Sequence, residues 1–390
     1  MRFLPTILAS FGVMLCLGGV YAWSLFVPAL VEDYGFSVTQ SQLVFGVLIA
    51  VFPATMLGVG QLPSRLPPRL LIGIAAFLFC GGYLLAGFSK GHFLLILLGI
   101  GVLAGIGTGF GYLTSITTPV RLFPARRGLL TGIAAGGFGL AAVITSLVVN
   151  QLIIRDWDVL AIFLILGIVY GLSILLLGLL FQTPPENANP PAKIRLKVLI
   201  REREFLRLAA GIFLGTFAGL LMIGNLKPIG VMLGIDDQTL VLGVAVLAIS
   251  NFAGRMVWGW LSDSKGAHQT IVIALMIQAI SIACFMLPAM NALSFLLCVA
   301  GMGFGFGANF VLFARETSQQ YGVDRLGNIY PFVLLGYAIA GIFGPVTGGL
   351  IFDLTNSYLL ALAIAAIMSA LGAMLYVKKS VRHEQPANLW

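Results

Sequence analysis

Residues 239–261 read TLVLGVAVLAISNFAGRMVWGWL, and within them only Arg255 carries a charge. About 20 predominantly apolar residues carry a helix across a bilayer, so the stretch reads as a spanning helix. A guanidinium at the centre of such a helix costs about 2.5–3.5 kcal/mol on insertion scales. Arg255 therefore requires a polar cavity or a partner, and this helix is expected to line that cavity.

The rest of the chain repeats the apolar pattern. Of 390 residues, 59% are hydrophobic and 9% charged, whereas a soluble domain carries about 25% charged residues. Apolar runs are found at 7–30, 41–60, 70–88, 93–118, 128–151, 159–181, 205–227, 240–261, 270–289, 293–314, 328–351 and 357–377. Barrel strands would alternate apolar and polar residues; these runs are interrupted by glycine and other small residues instead. The expected fold class is an all-α membrane protein with twelve transmembrane helices. The first run follows Arg2 and continues through Trp23 and Phe26 without a small-x-small cleavage site. It is read as a retained first helix, not a secretory signal.

One substantial hydrophilic stretch interrupts the chain, QTPPENANPPAKIRLKVLIRERE from Gln182 to Glu204. Its prolines stop the sixth helix, and its basic part suits a cytoplasmic surface. The expected organisation is an N-terminal six-helix bundle over 1–182, a cytoplasmic linker over 183–204, a C-terminal six-helix bundle over 205–380 and a cytoplasmic tail over 381–390. A substrate site is expected between the bundles near the midplane.

The net charge of +8 would suggest nucleic acid in a soluble protein. Here the charge is topological. The loops on one side hold Arg65, Arg69, Arg121, Arg126, Arg127, Lys265, Arg315 and Arg325 with the basic linker, while Lys90, Arg155 and Lys227 fall on the other. Basic residues accumulate on the cytoplasmic side, which places both termini inside and predicts contacts with membrane lipid and none with nucleic acid. Cys16, Cys80, Cys284 and Cys298 lie in apolar runs without metal-site spacing. His92, His268 and His383 lie in loops or the tail, and no nucleophile–base pair or phosphate-binding lysine loop is evident. The chain reads as no enzyme, with no cofactor and no metal.

Two loops echo each other. Gly60-Gln-Leu-Pro-Ser64-Arg65 leaves the second run, and Gly259-Trp-Leu-Ser-Asp263-Ser-Lys265-Gly266 leaves the eighth. Arg121-Leu-Phe-Pro-Ala-Arg126-Arg127-Gly128 leaves the fourth. Asp263, Arg65, Arg121 and Arg127 are expected to latch the bundles together through ion pairs.

Arg255 offers a planar fork of donors that fits a carboxylate bidentately. Asn251, at i−4, shares its face and would orient the guanidinium or touch the substrate. Every acid is placed at or beyond a helix end, so none neutralises Arg255; an incoming anion would. Lys227 near the outer end of the seventh helix would snorkel to the surface. In the tenth run Asn309, Phe306 and Phe310 are cavity candidates. The glycine strings GIGVLAGIGTGFG and GMGFGFG follow no strand, so they serve close helix packing and bending, not a dinucleotide.

The 6+6 layout, the loop echo and the basic linker resemble the major facilitator superfamily. More narrowly, four segments resemble its oxalate–formate antiporter and monocarboxylate transporter branches. They are Gly19-Val-Tyr21-Ala-Trp23-Ser-Leu-Phe26, Arg121-Leu-Phe-Pro124 to Arg127-Gly128, Arg255 with Trp258-Gly-Trp-Leu-Ser-Asp263, and Gly327-Asn-Ile-Tyr330 with Gly344-Pro345. The resemblance implies a monomer in the plasma or inner membrane, working by alternating access, with Tyr21, Tyr112 and Tyr337 facing the cavity. Two departures stand out. Ser64 replaces the usual acid of the first latch loop, and Tyr337 stands where oxalate carriers have a second cation.

One cation matches one carboxylate. The expected function is secondary transport of small monocarboxylates of the lactate, pyruvate or formate kind, with a proton as co-substrate. The alternatives are anion exchange of the oxalate–formate type, uniport, and a same-fold carrier of another small molecule. A non-transporting sensor would need a signalling domain or long tail, and the tail after Lys379 is short.

Overall fold

The computed structural model of the chain describes residues 4–59, 66–123, 127–184, 199–288, 290–322 and 325–377, with backbone alone at 127–129, 131, 327 and 328. The described residues form helices and short connections. They are α1 (Leu4–Leu25), α2 (Val38–Val59), α3 (Pro68–Gly87), α4 (Phe93–Leu122), α5 (Arg127–Ile153), α6 (Val159–Gly178), α7 (Arg203–Met232), α8 (Asp237–Lys265), α9 (Ala267–Cys284), α10 (Ala292–Tyr321), α11 (Leu326–Thr355) and α12 (Leu359–Met374). Among the described residues 11 helices are long and apolar enough to cross a membrane. The twelfth, α12, has 16 residues, about 24 Å at 1.5 Å per residue, against a hydrocarbon core of about 30 Å. The helical fold expected from the sequence is present; the twelfth run, expected over 357–377, is shorter as a helix than as an apolar stretch.

The helices pack in two sets. Within α1–α6, α3 lies on α6 and α4, α1 on α5, and α2 on α4. Within α7–α12, α8 lies on α10, α7 on α11 and α12, and α9 on α10 and α12. The sets meet chiefly through α2 on α11, α5 on α8, and α1 on α7. Arg121, Lys265, Arg315 and Arg325 gather where α8 leads into α9 and α10 into α11, which makes this the basic end of the molecule. The opposite end is the distal end.

Small residues set these approaches. At Gly46 an added Cβ would stand 2.7 Å from the Gly341 carbonyl oxygen, so α2 and α11 touch backbone to backbone. From Gly18 to Leu25 α1 winds as a 3-10 helix, and a Cβ on Gly19 would lie 2.7 Å from the Thr145 Oγ1 of α5. The tighter winding begins at the Gly18-Gly19 pair, where helix propensity is lowest, and it carries Tyr21 and Trp23 into the interior, both nearly fully buried.

Several helices outrun the apolar runs that announce them. α8 continues to Lys265 and α10 to Tyr321, where Gly266 and Gly322 adopt positive φ and end them. This corrects one expectation. Glu316 does not lie beyond a helix end; it sits inside α10, 3% exposed. Its carboxylate lies 3.5 Å from Arg207 of α7 and 3.7 Å from His268 of α9, and accepts a bond from Gln320 at 3.3 Å. Arg207 and His268 lie far away in sequence, and together these groups make burial of the acid tolerable.

Candidate functional site

The site is built on the backbone approach of α5 to α8. Gly136 belongs to a run of small residues, AAGGFG; a Cβ there would meet the Phe252 ring at 2.7 Å. That closeness lets Arg255 reach across the interface. Its Nη1 donates to the Ala135 carbonyl oxygen of α5 at 3.2 Å, and its Nε to Asn251 Oδ1 at 3.3 Å. The guanidinium carbon stands 4.8 Å from the Phe310 ring centroid, over the face of the ring, where the quadrupole attracts a cation. Arg255 is 8% exposed. Among the described residues it has no carboxylate partner.

An aromatic cage surrounds this cation. Tyr112 of α4 places its hydroxyl beside Arg255, and its ring stands edge-on to Phe138 at 5.2 Å. Phe52 of α2 contacts Tyr112 at 5.5 Å and Tyr337 at 5.8 Å. Phe310 meets Tyr337 at 5.1 Å. The Tyr21 and Tyr337 hydroxyls share a hydrogen bond of 3.1 Å, joining α1 to α11 across the two sets of helices. Tyr330 donates to the Phe310 carbonyl oxygen at 2.9 Å. Tyr21, Phe52, Phe138 and Tyr337 are buried, whereas Tyr112, Phe310 and Tyr330 are partly exposed.

Of the residues singled out from sequence, Arg255, Asn251, Tyr21, Tyr112, Tyr337 and Phe310 converge here. Asn309 does not join them. Its amide donates to the Phe306 carbonyl oxygen at 3.0 Å, and its Oδ1 presses on Gly215 of α7, so it faces the interior of the second set of helices. Among the described residues Asp263 pairs with Arg315, tying α8 to α10 within one set. Arg121 ends α4 with its Nε buried and without a hydrogen-bond partner among the described residues. Arg65 and the Arg127 side chain lie outside the described residues. Lys227 lies 3.5 Å from Asp237 at the distal end and stays clear of the cage. Among the described residues no group of three or more His, Cys, Asp or Glu is placed to hold a metal ion.

Sequence reasoning missed Phe52, Phe138 and the Ala135 carbonyl. The chain has 28 phenylalanines, so ring identity alone marks nothing; the usable signal was the AAGGFG run, where small residues flank one large ring.

A buried guanidinium without a carboxylate partner among the described residues, ringed by aromatic side chains where the two helix sets meet, suits a small anion. An Oxalobacter formigenes protein named oxalate:formate antiporter is 26% identical over 98% of this chain and 94% of its own length. Monocarboxylate transporter 11 of Homo sapiens is 22% identical over 94% of this chain and 79% of its own. A bacterial homologue of the human lysosomal transporter Spinster, solved inward-facing and unoccupied, shares the fold with a TM-score of 0.77 at 15% identity, covering 95% of each chain. Residues 8–345 match the family description of the Major Facilitator Superfamily, and the chain belongs to that family.

Proposed function

We propose that this protein is a secondary transporter of small monocarboxylate anions that works by alternating access with a proton as co-substrate. The observation that carries the reading is Arg255, a buried guanidinium with no carboxylate partner among the described residues. In a low-dielectric cage its attraction for an anion exceeds that in water, and an unneutralised cation there is costly. A bound carboxylate relieves that cost, and the fork geometry gives it two parallel bonds. Tyr337 supplies a hydroxyl where a second cation would be needed for a dicarboxylate.

In this reading all twelve apolar runs span the membrane, and the basic end with both termini faces the cytoplasm of a plasma or inner membrane. Residues 1–182 and 205–380 are the two moving bodies, joined by the linker 183–204. A monomer suffices, since the cage is complete within one chain. Anion exchange is the second reading, favoured by the likeness to the oxalate:formate antiporter over 98% of this chain.

The test is uptake of labelled lactate, pyruvate, formate and oxalate into proteoliposomes, with and without an inward proton gradient and with trapped anion inside. Symport predicts gradient-driven, saturable uptake of a monocarboxylate. Exchange predicts that uptake requires trapped anion. Arg255→Ala is expected to lower kcat/KM at least about a hundredfold, because it removes one side of a buried charge pair. Full uptake by a folded Arg255→Ala protein overturns the reading.

A further inference from the structure

The distal ends of α2 and α11 meet in a contact that neither helix needs for itself. An α-helix leaves its first N–H groups without intrahelical partners. At the start of α2, Ser37 and Gln40 form a reciprocal cap: Gln40 N–H donates to Ser37 Oγ and Ser37 N–H to Gln40 Oε1, each at 3.0 Å. Ser41 N–H reaches the Ser37 carbonyl oxygen at 3.1 Å. The local sequence therefore leaves Val38 and Thr39 N–H over. Both are taken by Asp353 of α11, Oδ1 accepting from Val38 at 3.0 Å and Oδ2 from Thr39 at 2.9 Å. The Thr39 hydroxyl donates to the same Oδ2.

Asp353 lies in the last turn of α11, which ends at Thr355 with Asn356 at φ 51°. A carboxylate there faces the negative end of its own helix and is unfavourable; at the N-terminus of another helix it is favourable. The position gains nothing for α11 and serves the partner set. Gly349, one turn earlier, makes the approach possible, since a Cβ there would stand 2.9 Å from the Thr39 Cα and amide nitrogen. Below the cap, Gln42 donates to the Gly224 carbonyl oxygen of α7 at 2.8 Å, and Asn225 donates to the Pro345 carbonyl oxygen of α11 at 3.2 Å. Asp353 itself is exposed to water, so its bonds can be exchanged for water when the ends part.

We infer that Asp353 is the distal latch of the transport cycle. It holds the distal gate shut by completing the cap of α2 across the two helix sets, and it must release Val38 and Thr39 before the cage opens to the distal side. This rests on the alternating-access reading above and is independent of which anion is carried.

The test places a reporter under the latch. Ile49 is fully buried against Gly341, below the cap. In nanodiscs and without any carboxylate, Ile49→Cys is exposed to a membrane-impermeant thiol reagent and its modification is read by peptide mass. Asp353→Ala in that background is expected to raise the labelling rate about fivefold or more, the size of a lost helix cap. Asp353→Ser is scored by the same criterion where the alanine variant does not purify as one species. Asp236→Ala is the control: Asp236 is a distal acid that caps its own helix α8 through Thr239, and its loss is expected to leave labelling unchanged. An unchanged rate in a folded Asp353 variant, or an equal rise with Asp236→Ala, overturns the latch. Because no anion is present, a failed latch leaves the Arg255 uptake result untouched. If no carboxylate is transported while the latch result holds, the substrate reading fails alone.

Discussion

The interface between the two helix sets is built differently at its two ends. At the distal end α2 and α11 meet through glycine backbone and a helix cap, Gln42 of α2 donates to the Gly224 carbonyl oxygen of α7, and Ile49 and Phe45 are fully buried. Around Arg255 the same interface consists of a cation, aromatic rings and hydroxyls, with partial exposure at Tyr112, Phe310 and Tyr330. The first is held by packing and by hydrogen bonds between the sets. The second holds a cation without a carboxylate partner among the described residues. A seam that closes by backbone contact has two discrete states, because packed surfaces do not deform continuously. In the proposed cycle the cage binds the anion and the seam closes, so that occupancy and closure are coupled.

The largest expected effect on the distal seam comes from spoiling the fit. A Cβ on Gly46 would lie 2.7 Å from the Gly341 oxygen and 3.0 Å from the Ile342 Cα, both backbone atoms that cannot swing aside. Gly46→Val is expected to keep the distal seam ajar and to lower uptake about a hundredfold, near the upper end for overpacking. Labelling at Ile49→Cys should rise in the same protein. A Gly46→Val transporter at full rate would mean that the seam does not close in the cycle.

Next comes the cage. Arg255→Lys keeps the charge and loses the planar fork, with its stacking on Phe310. The expected loss in kcat/KM is about tenfold, with Ile49→Cys labelling unchanged. Asn251→Ala removes the acceptor that fixes Arg255 Nε at 3.3 Å. A net hydrogen bond is worth about 1 kcal/mol, so KM is expected to rise about fivefold with little change in kcat. A fall in kcat alone would instead assign Asn251 to helix packing, since a Cβ on Gly307 of α10 would stand 3.1 Å from its Oδ1.

The two ends also differ in how far the sequence discloses them. The fold is legible because hydropathy is a bulk property, repeated run after run. Arg255 is legible because a charge among apolar residues is locally anomalous, and Asn251 follows from helical periodicity. Asp353 is not. In sequence it is one acid in a loop-like FDLTN stretch; its meaning lies in two amide groups on α2, more than three hundred residues earlier in the chain. Glu316 is hidden likewise, because the residues that make its burial possible come from α7 and α9. Helix ends drawn at the first charge miss both. Local composition reports what a segment avoids, whereas these acids are explained by what distant segments lack.

The smallest effect falls where the two ends join. Tyr337 is buried, its ring against Phe52 and Phe310 and its hydroxyl 3.1 Å from that of Tyr21. It is at once the top of the cage and the first contact of the distal seam. Tyr337→Phe keeps both ring contacts and removes the hydroxyl. Without a partner, the Tyr21 hydroxyl is left buried in apolar surroundings, which costs about 1–3 kcal/mol where nothing replaces the bond. In the closed cage that cost is felt; once α1 and α11 part, water restores the bond. The cost therefore acts on the balance between closed and open states more than on the carboxylate. The expected outcome is a change in uptake of about twofold to threefold, smaller than the full bond because the cost is felt only in the closed state, with labelling at Ile49→Cys raised and KM nearly constant. A rise in KM with labelling unchanged would place the Tyr337 hydroxyl on the substrate and move the boundary between seam and cage one helical turn toward the distal end.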